Sequence, residues 1–197
     1  FPMQACILKS LRAFAASFLR QSAAVQQGRL IAALLASLLF IAPASAGTIV
    51  RVSTSLGDYS IELFDETAPL TVANFLGYVQ RDDYNGTYLH RVVDNFVVQG
   101  GANRFKLFEG PIDIPVGPAV VNEFGASNTR GTVAMAKIDG EPDSATNQWF
   151  VNLIDNSANL DTNNGGFTVF GSVLGDGMQV LDAIDALPFV SLGAKAP

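Results

Sequence analysis

From Tyr88 to Gly101 the chain reads Tyr-Leu-His-Arg-Val-Val-Asp-Asn-Phe-Val-Val-Gln-Gly-Gly, which places one arginine, one phenylalanine and one glutamine close together in sequence. Apolar and polar residues alternate on both sides of Asp94-Asn95, the pattern of two short strands joined by a turn. Leu89, Arg91 and Val93 then share one side with His90 and Val92 opposite, and beyond the turn Phe96 and Val98 oppose Val97 and Gln99. A twist or bulge is needed to gather Arg91, Phe96 and Gln99. That trio suits chemistry without proton transfer: a guanidinium stays charged at any physiological pH and offers several fixed donors. The spacing alone also fits an ordinary strand pair with one exposed charge.

Other chemistries have little to work with. His90 is the only histidine, so a Ser-His-Asp triad must use it. No Gly-x-Ser-x-Gly elbow is present, and a histidine inside a strand reads as structural. Asp161-x-Asn163-x-Gly165 has the opening of a calcium loop, but Ser172 stands at the twelfth position where a bidentate glutamate is needed, which leaves a turn. Gly171-x-x-x-Gly175-x-Gly177 lacks nucleotide-binding spacing and reads as a strand-to-helix connection. Neither a metal nor a cofactor is expected.

Four ordered blocks resemble the cyclophilin-type peptidyl-prolyl isomerases. The Tyr88–Gly101 run is similar to the family's Phe-His-Arg-Ile-Ile-Pro-Gly-Phe-Met-x-Gln-Gly-Gly motif. Gly131-Thr132-Val133-Ala134-Met135-Ala136 is similar to its Gly-x-x-x-Met-Ala strand, Asp143 to Val151 to its Ser-x-x-Ser-Gln-Phe-Phe-Ile segment, and Thr168 to Val173 to its Val-Phe-Gly-x-Val strand. The resemblance implies catalysed rotation about X-Pro bonds of polypeptides, with a non-catalytic proline-peptide-binding or chaperone module as the alternative. It also implies residue roles. Arg91 matches the catalytic arginine, Gln99 the glutamine that orients it and bonds substrate, and Phe96 and Phe150 the aromatic walls of a proline pocket floored by Leu160. Val97 replaces a usual methionine in that wall. Ala136 and Lys137 match the segment that pairs with substrate backbone, Lys137 through its main chain, and Gln148 matches a polar residue of the neighbouring subsite. Phe167 stands where a histidine is frequent, and Asn159 where a tryptophan often precedes the Leu160-Asp161 pair.

These residues need a frame. Thr48–Thr54 and Tyr59–Phe64 alternate around Ser55-Leu56-Gly57-Asp58, a β-hairpin. Pro69 opens a helix whose Val72, Phe75, Leu76 and Val79 fall at helical spacing. Short β segments follow to Val173, then a second helix from Gly177 to Ala186 with Asp176 as N-cap. The expected architecture is mainly β: a closed eight-stranded antiparallel cyclophilin-like barrel capped by two helices. The last strand is expected to be missing, because no strand pattern follows the second helix, as in a fragment cut at the C-terminus.

Composition sets the surroundings. Residues 1–46 carry Lys9, Arg12, Arg20 and Arg29 and no acid, followed by an apolar core at 30–41, Pro43, and Ala44-Ser45-Ala46. This is the order of a secretory signal peptide, with cleavage expected after Ala46 and an isomerase domain at 47–197. The apolar core is shorter than the roughly 20 residues of a spanning helix, so membrane contact is expected only in transit. A periplasmic or secreted monomer follows, or, from the acid-free arginine- and serine-containing stretch, an organelle lumen. Residues 1–28 exceed what a signal needs, and Met3 offers an alternative start. The domain keeps eight of the 12 basic residues against all 18 acidic ones, a charge near −10 that disfavours nucleic acid. Cys6, the only cysteine, goes with the leader, so the domain is held by its core rather than by disulfides.

Overall fold

A computed structural model describes residues 47–188. The leader and the chain beyond Pro188, with the expectations that fall on them, lie outside the described residues.

The opening hairpin forms as its alternation predicts. Strand β1 (Ile49–Thr54) pairs antiparallel with β2 (Gly57–Leu63), Thr54 opposite Gly57. Helix α1 (Pro69–Gln80) begins at its proline and buries Thr71, Val72, Phe75 and Tyr78, while Leu76 and Val79 are half-buried against the same core. Its first turn is capped from afar: the Glu123 carboxylate accepts from the Leu70 and Thr71 amides at 3.1 and 2.7 Å, and from the Thr71 hydroxyl at 2.8 Å. A carboxylate there also complements the positive end of the helix.

Strands β3 (Arg91–Val93), β4 (Val97–Gly100), β7 (Thr132–Met135), β8 (Trp149–Asn152) and β9 (Val169–Val173) complete one sheet with β1 and β2. Its order is β1-β2-β9-β7-β8-β4-β3, every pairing is antiparallel, and it curls as a half-barrel. The expectation of eight strands closed on themselves is therefore met only in part. Among the described residues the sheet has seven strands and leaves β1 and β3 as edges. The two remaining strands, β5 (Asn103–Lys106) and β6 (Gly110–Asp113), form a separate hairpin, tied to the chain before β3 by an isolated Thr87–Arg104 bridge, and do not join the two edges.

Period 2 sorts the sheet into two faces. Val98, Val151 and Val133 lie in register across β4, β8 and β7 and join Phe75, Trp149, Phe170, Leu181 and Ile184 in the main core. This face packs against α1 and against α3 (Gly177–Asp185), which buries Gly177, Leu181 and Ile184. Asp176 takes the N-cap position of α3 but makes no side-chain capping bond. A one-turn helix, α2 (Ser157–Leu160), and a 3-10 turn at Asn163–Gly165 lie between β8 and β9.

Candidate active site

The opposite face carries the predicted group. Arg91 pairs with Gln99, Gln99 with Phe150, Phe150 with Ala134, and Ala134 with Val169, so one row crosses β3, β4, β8, β7 and β9. Strand parity puts all five on the same side. Val97, Ala134, Phe150, Leu160 and Val169 form a second buried cluster there, with Phe96, Ala136 and Phe167 half-buried against it. Phe96 reaches this face although two-residue alternation assigns it to the other. It precedes β4 in the Asp94-Asn95 turn, where Asn95 takes a left-handed φ of 53° and the Phe96 amide bonds Val93 O at 3.0 Å, so strand parity does not govern it.

The aromatic wall is built by contact. Phe150 and Phe167 meet edge-to-face, with ring centroids 5.9 Å apart and planes at 69°. Trp149, one residue along β8, points the other way and packs edge-on to Phe75 at 6.3 Å. The double glycine is steric. Gly101 has φ 86°, and any Cβ there would collide with Asn147 O. Buried Asn147 in turn donates to Gly101 O at 2.8 Å.

At the rim, exposed Arg91 Nη1 donates to Gln99 Oε1 at 3.3 Å, and Gln99 Nε2 donates to Gln148 Oε1 at 2.9 Å. Burial, with a smaller contribution from the Arg91 charge and Gln148 opposing, holds the His90 pKa below its ordinary value. Lys137 donates from Nζ to Asn164 O at 2.8 Å and Gly166 O at 2.6 Å, and lies 4.8 Å above the Phe167 ring centroid. Burial lowers the pKa of its ammonium group, with Asp143 opposing. Its side chain thus braces the loop bearing Phe167. Among the described residues its main-chain N–H and C=O have no hydrogen-bond partner. Gly166, at φ 76°, gives Phe124 room to lie against this loop, because a Cβ there would sit 2.5 Å from the ring. Asn159 is exposed on α2.

A network that the sequence did not announce holds the wall from behind. Asn128, Asn152 and Asn156 are buried. Asn156 Nδ2 donates to Phe96 O at 2.9 Å and Asn152 Oδ1 at 2.8 Å, while Asn128 Nδ2 donates to Phe167 O at 3.0 Å and Asp161 Oδ1 at 2.9 Å. Leu160 N donates to Asn156 O at 2.8 Å. Two side-chain amides, Asn156 and Asn128, therefore fix the backbones of Phe96 and Phe167, Asn152 links the two, and the Asn156 main chain holds Leu160. The segment resembling a calcium loop belongs to this network. Burial raises the Asp161 pKa, but bonds from Ser127 and Asn128 outweigh it and hold the group below its usual range. A separate hollow of about 540 Å³ between the β1–β2 hairpin and α3 shares no residue with the Arg91 group.

The family profile described as cyclophilin type peptidyl-prolyl cis-trans isomerase/CLD matches residues 49–195. The chain belongs to that family. A peptidyl-prolyl cis-trans isomerase of Acinetobacter baylyi is 42% identical over 164 residues, covering 83% of this chain and 85% of the relative. Peptidyl-prolyl cis-trans isomerase B of Escherichia coli is 39% identical over 140 residues, covering 69% and 83%. The fold agrees with a Cryptosporidium parvum cyclophilin crystal structure at a TM-score of 0.60 and 23% identity, over 74% of this chain and 88% of that one. The protein is a peptidyl-prolyl isomerase, and proteins of this family act on proline-containing peptides.

Proposed function

We propose that Arg91 catalyses the rotation by donating hydrogen bonds to the twisted X-Pro amide while the wall of Val97, Phe96, Phe150, Leu160 and Phe167 grips the proline ring. Resonance opposes this rotation by about 20 kcal/mol, and the uncatalysed step takes tens of seconds or more. As the bond twists, the prolyl nitrogen becomes pyramidal and gains an accepting lone pair. A guanidinium donor placed there binds the twisted state better than the planar one, which is the requirement for catalysis. The Lys137 main chain offers unpaired groups to the flanking backbone of substrate, while the Ala136 amide is held by the Gln148 carbonyl. The observation that carries this reading is the single row that sets exposed Arg91, through Gln99, beside Phe150.

The substrates we propose are unfolded or loosely folded exported proteins, met in the periplasm or outside the cell after cleavage at Ala46; the leader's basic, apolar and small-residue order supports this. Closure of the half-barrel by an eighth strand between β1 and β3 is part of the same reading, supported by family membership. The purified chain from Gly47 onward should accelerate cis-to-trans conversion of a short X-Pro peptide in a protease-coupled assay. Saturable binding of that peptide without acceleration would replace the enzyme with a binding module.

A further inference from the structure

We infer that Gln148 is a positioning residue that sets the direction of the Gln99 side-chain amide, and through it the aim of Arg91. The inference rests on the catalytic role proposed for Arg91.

A carboxamide has one accepting end and one donating end of equal size, whereas a guanidinium only donates. Gln99 therefore steadies Arg91 only when Oε1 faces it, as at 3.3 Å. Shape does not enforce that direction, because turning the amide over changes no packing. What enforces it is the partner of the other end: Gln148 Oε1 accepts from Gln99 Nε2 at 2.9 Å. Reversal would set Gln99 Nε2 against Arg91 Nη1, donor facing donor, and the two amide oxygens against each other.

Gln148 is itself held. It stands two residues before Phe150, hence on the same face, and its carbonyl accepts from the Ala136 amide at 2.9 Å. Across the β3–β4 hairpin the His90 amide donates to Gln99 O at 3.1 Å, so the Gln99 backbone is fixed and the side-chain order runs Gln148–Gln99–Arg91. Among the described residues Gln99 is the only hydrogen-bond partner of the Arg91 guanidinium, and Arg91 joins no salt bridge. Nothing else described fixes where the charge points.

The test is a set of substitutions at residue 148 combined with a double-mutant cycle. Gln148→Glu keeps an acceptor for Gln99 Nε2 and should hold kcat on a short X-Pro peptide within about threefold of the parent, whereas Gln148→Met removes the acceptor and should lower kcat by about tenfold with little change in KM. In the Gln99→Met background, Gln148→Met should add almost nothing, because the effect runs through Gln99. The Gln99 side-chain amide resonances should shift in Gln148→Met and stay near their parental positions in Gln148→Glu. Additive losses in the cycle would overturn the inference. So would a Gln148→Met enzyme with parental kcat and unmoved Gln99 resonances. If Arg91→Ala were fully active the catalytic reading would fail instead, so the two failures are separable.

Discussion

The two faces of one sheet are held in opposite ways. Under α1 and α3 the sheet is filled by shape: Phe75 meets Phe170 at a tilt at 5.0 Å and Trp149 edge-on at 6.3 Å, and Val98, Val133 and Val151 are sealed beneath. Among the described residues no long helix covers the face with Phe150, which in the proposed function leaves a wall open for a ligand. Its cluster is smaller, and the loops that complete it are fixed by buried amides at Asn128, Asn152 and Asn156. Apolar burial is non-directional, so it suits a core that need only be full. Hydrogen bonds are directional, so they suit a wall that must stand in place with nothing in front of it.

Substitutions on each face should separate stability from binding. The largest effect belongs to the filled face: Trp149→Ala should lower unfolding stability by about 3–5 kcal/mol through the cavity it leaves, with peptide affinity unchanged in a calorimetric titration. Its neighbour tests the other side. Phe150→Ala should weaken proline-peptide binding by about 1.5–3 kcal/mol, the burial value of one aromatic side chain. A Trp149 variant that binds poorly beside a Phe150 variant that binds well would reverse the assignment of faces.

A smaller change sharpens the comparison. Asn156→Ala strips the donor from Asn152 Oδ1 and one of the two donors from Phe96 O, which keeps the Leu153 amide, and should cost about 1–3 kcal/mol of stability, chiefly for the Asn152 acceptor left unpaired. Because those acceptors hold the wall, peptide KM should rise as well. An apolar substitution of equal stability cost under α1 should leave KM alone. If both variants lose the same stability with the same KM, the amides contribute only to folding.

Periodicity carried the reading of the filled face. The hairpin of β1 and β2 and the stripe on α1 are local patterns, and each is realised. The grouping of Arg91, Phe96 and Gln99 on the open face came from the motif and its family, and the structure supplies the register behind it. What stayed hidden is long-range and polar. Glu123 caps α1 from 52 residues beyond Thr71, and neither end of that contact marks the other in sequence. Asn128, Asn152 and Asn156 are far apart and follow no period, although an asparagine closing the apolar run of β8 was a signal, since a buried amide requires partners. Helix α2, at four residues, is too short to show a repeat. Closure into eight strands was an inference from family, and the described residues stop at a seven-stranded half-barrel.

The central claim is that the Arg91 guanidinium performs the catalysis and does not hold the fold, since it is exposed and, among the described residues, bonds only Gln99. The direct measurement is kcat/KM of Arg91→Ala on a short X-Pro peptide, read beside its thermal unfolding. The account predicts a fall of at least about 100-fold with an unchanged melting temperature, because the donor acts mainly on the twisted amide. An alanine variant that melts like the parent and turns over at the parental rate would contradict it.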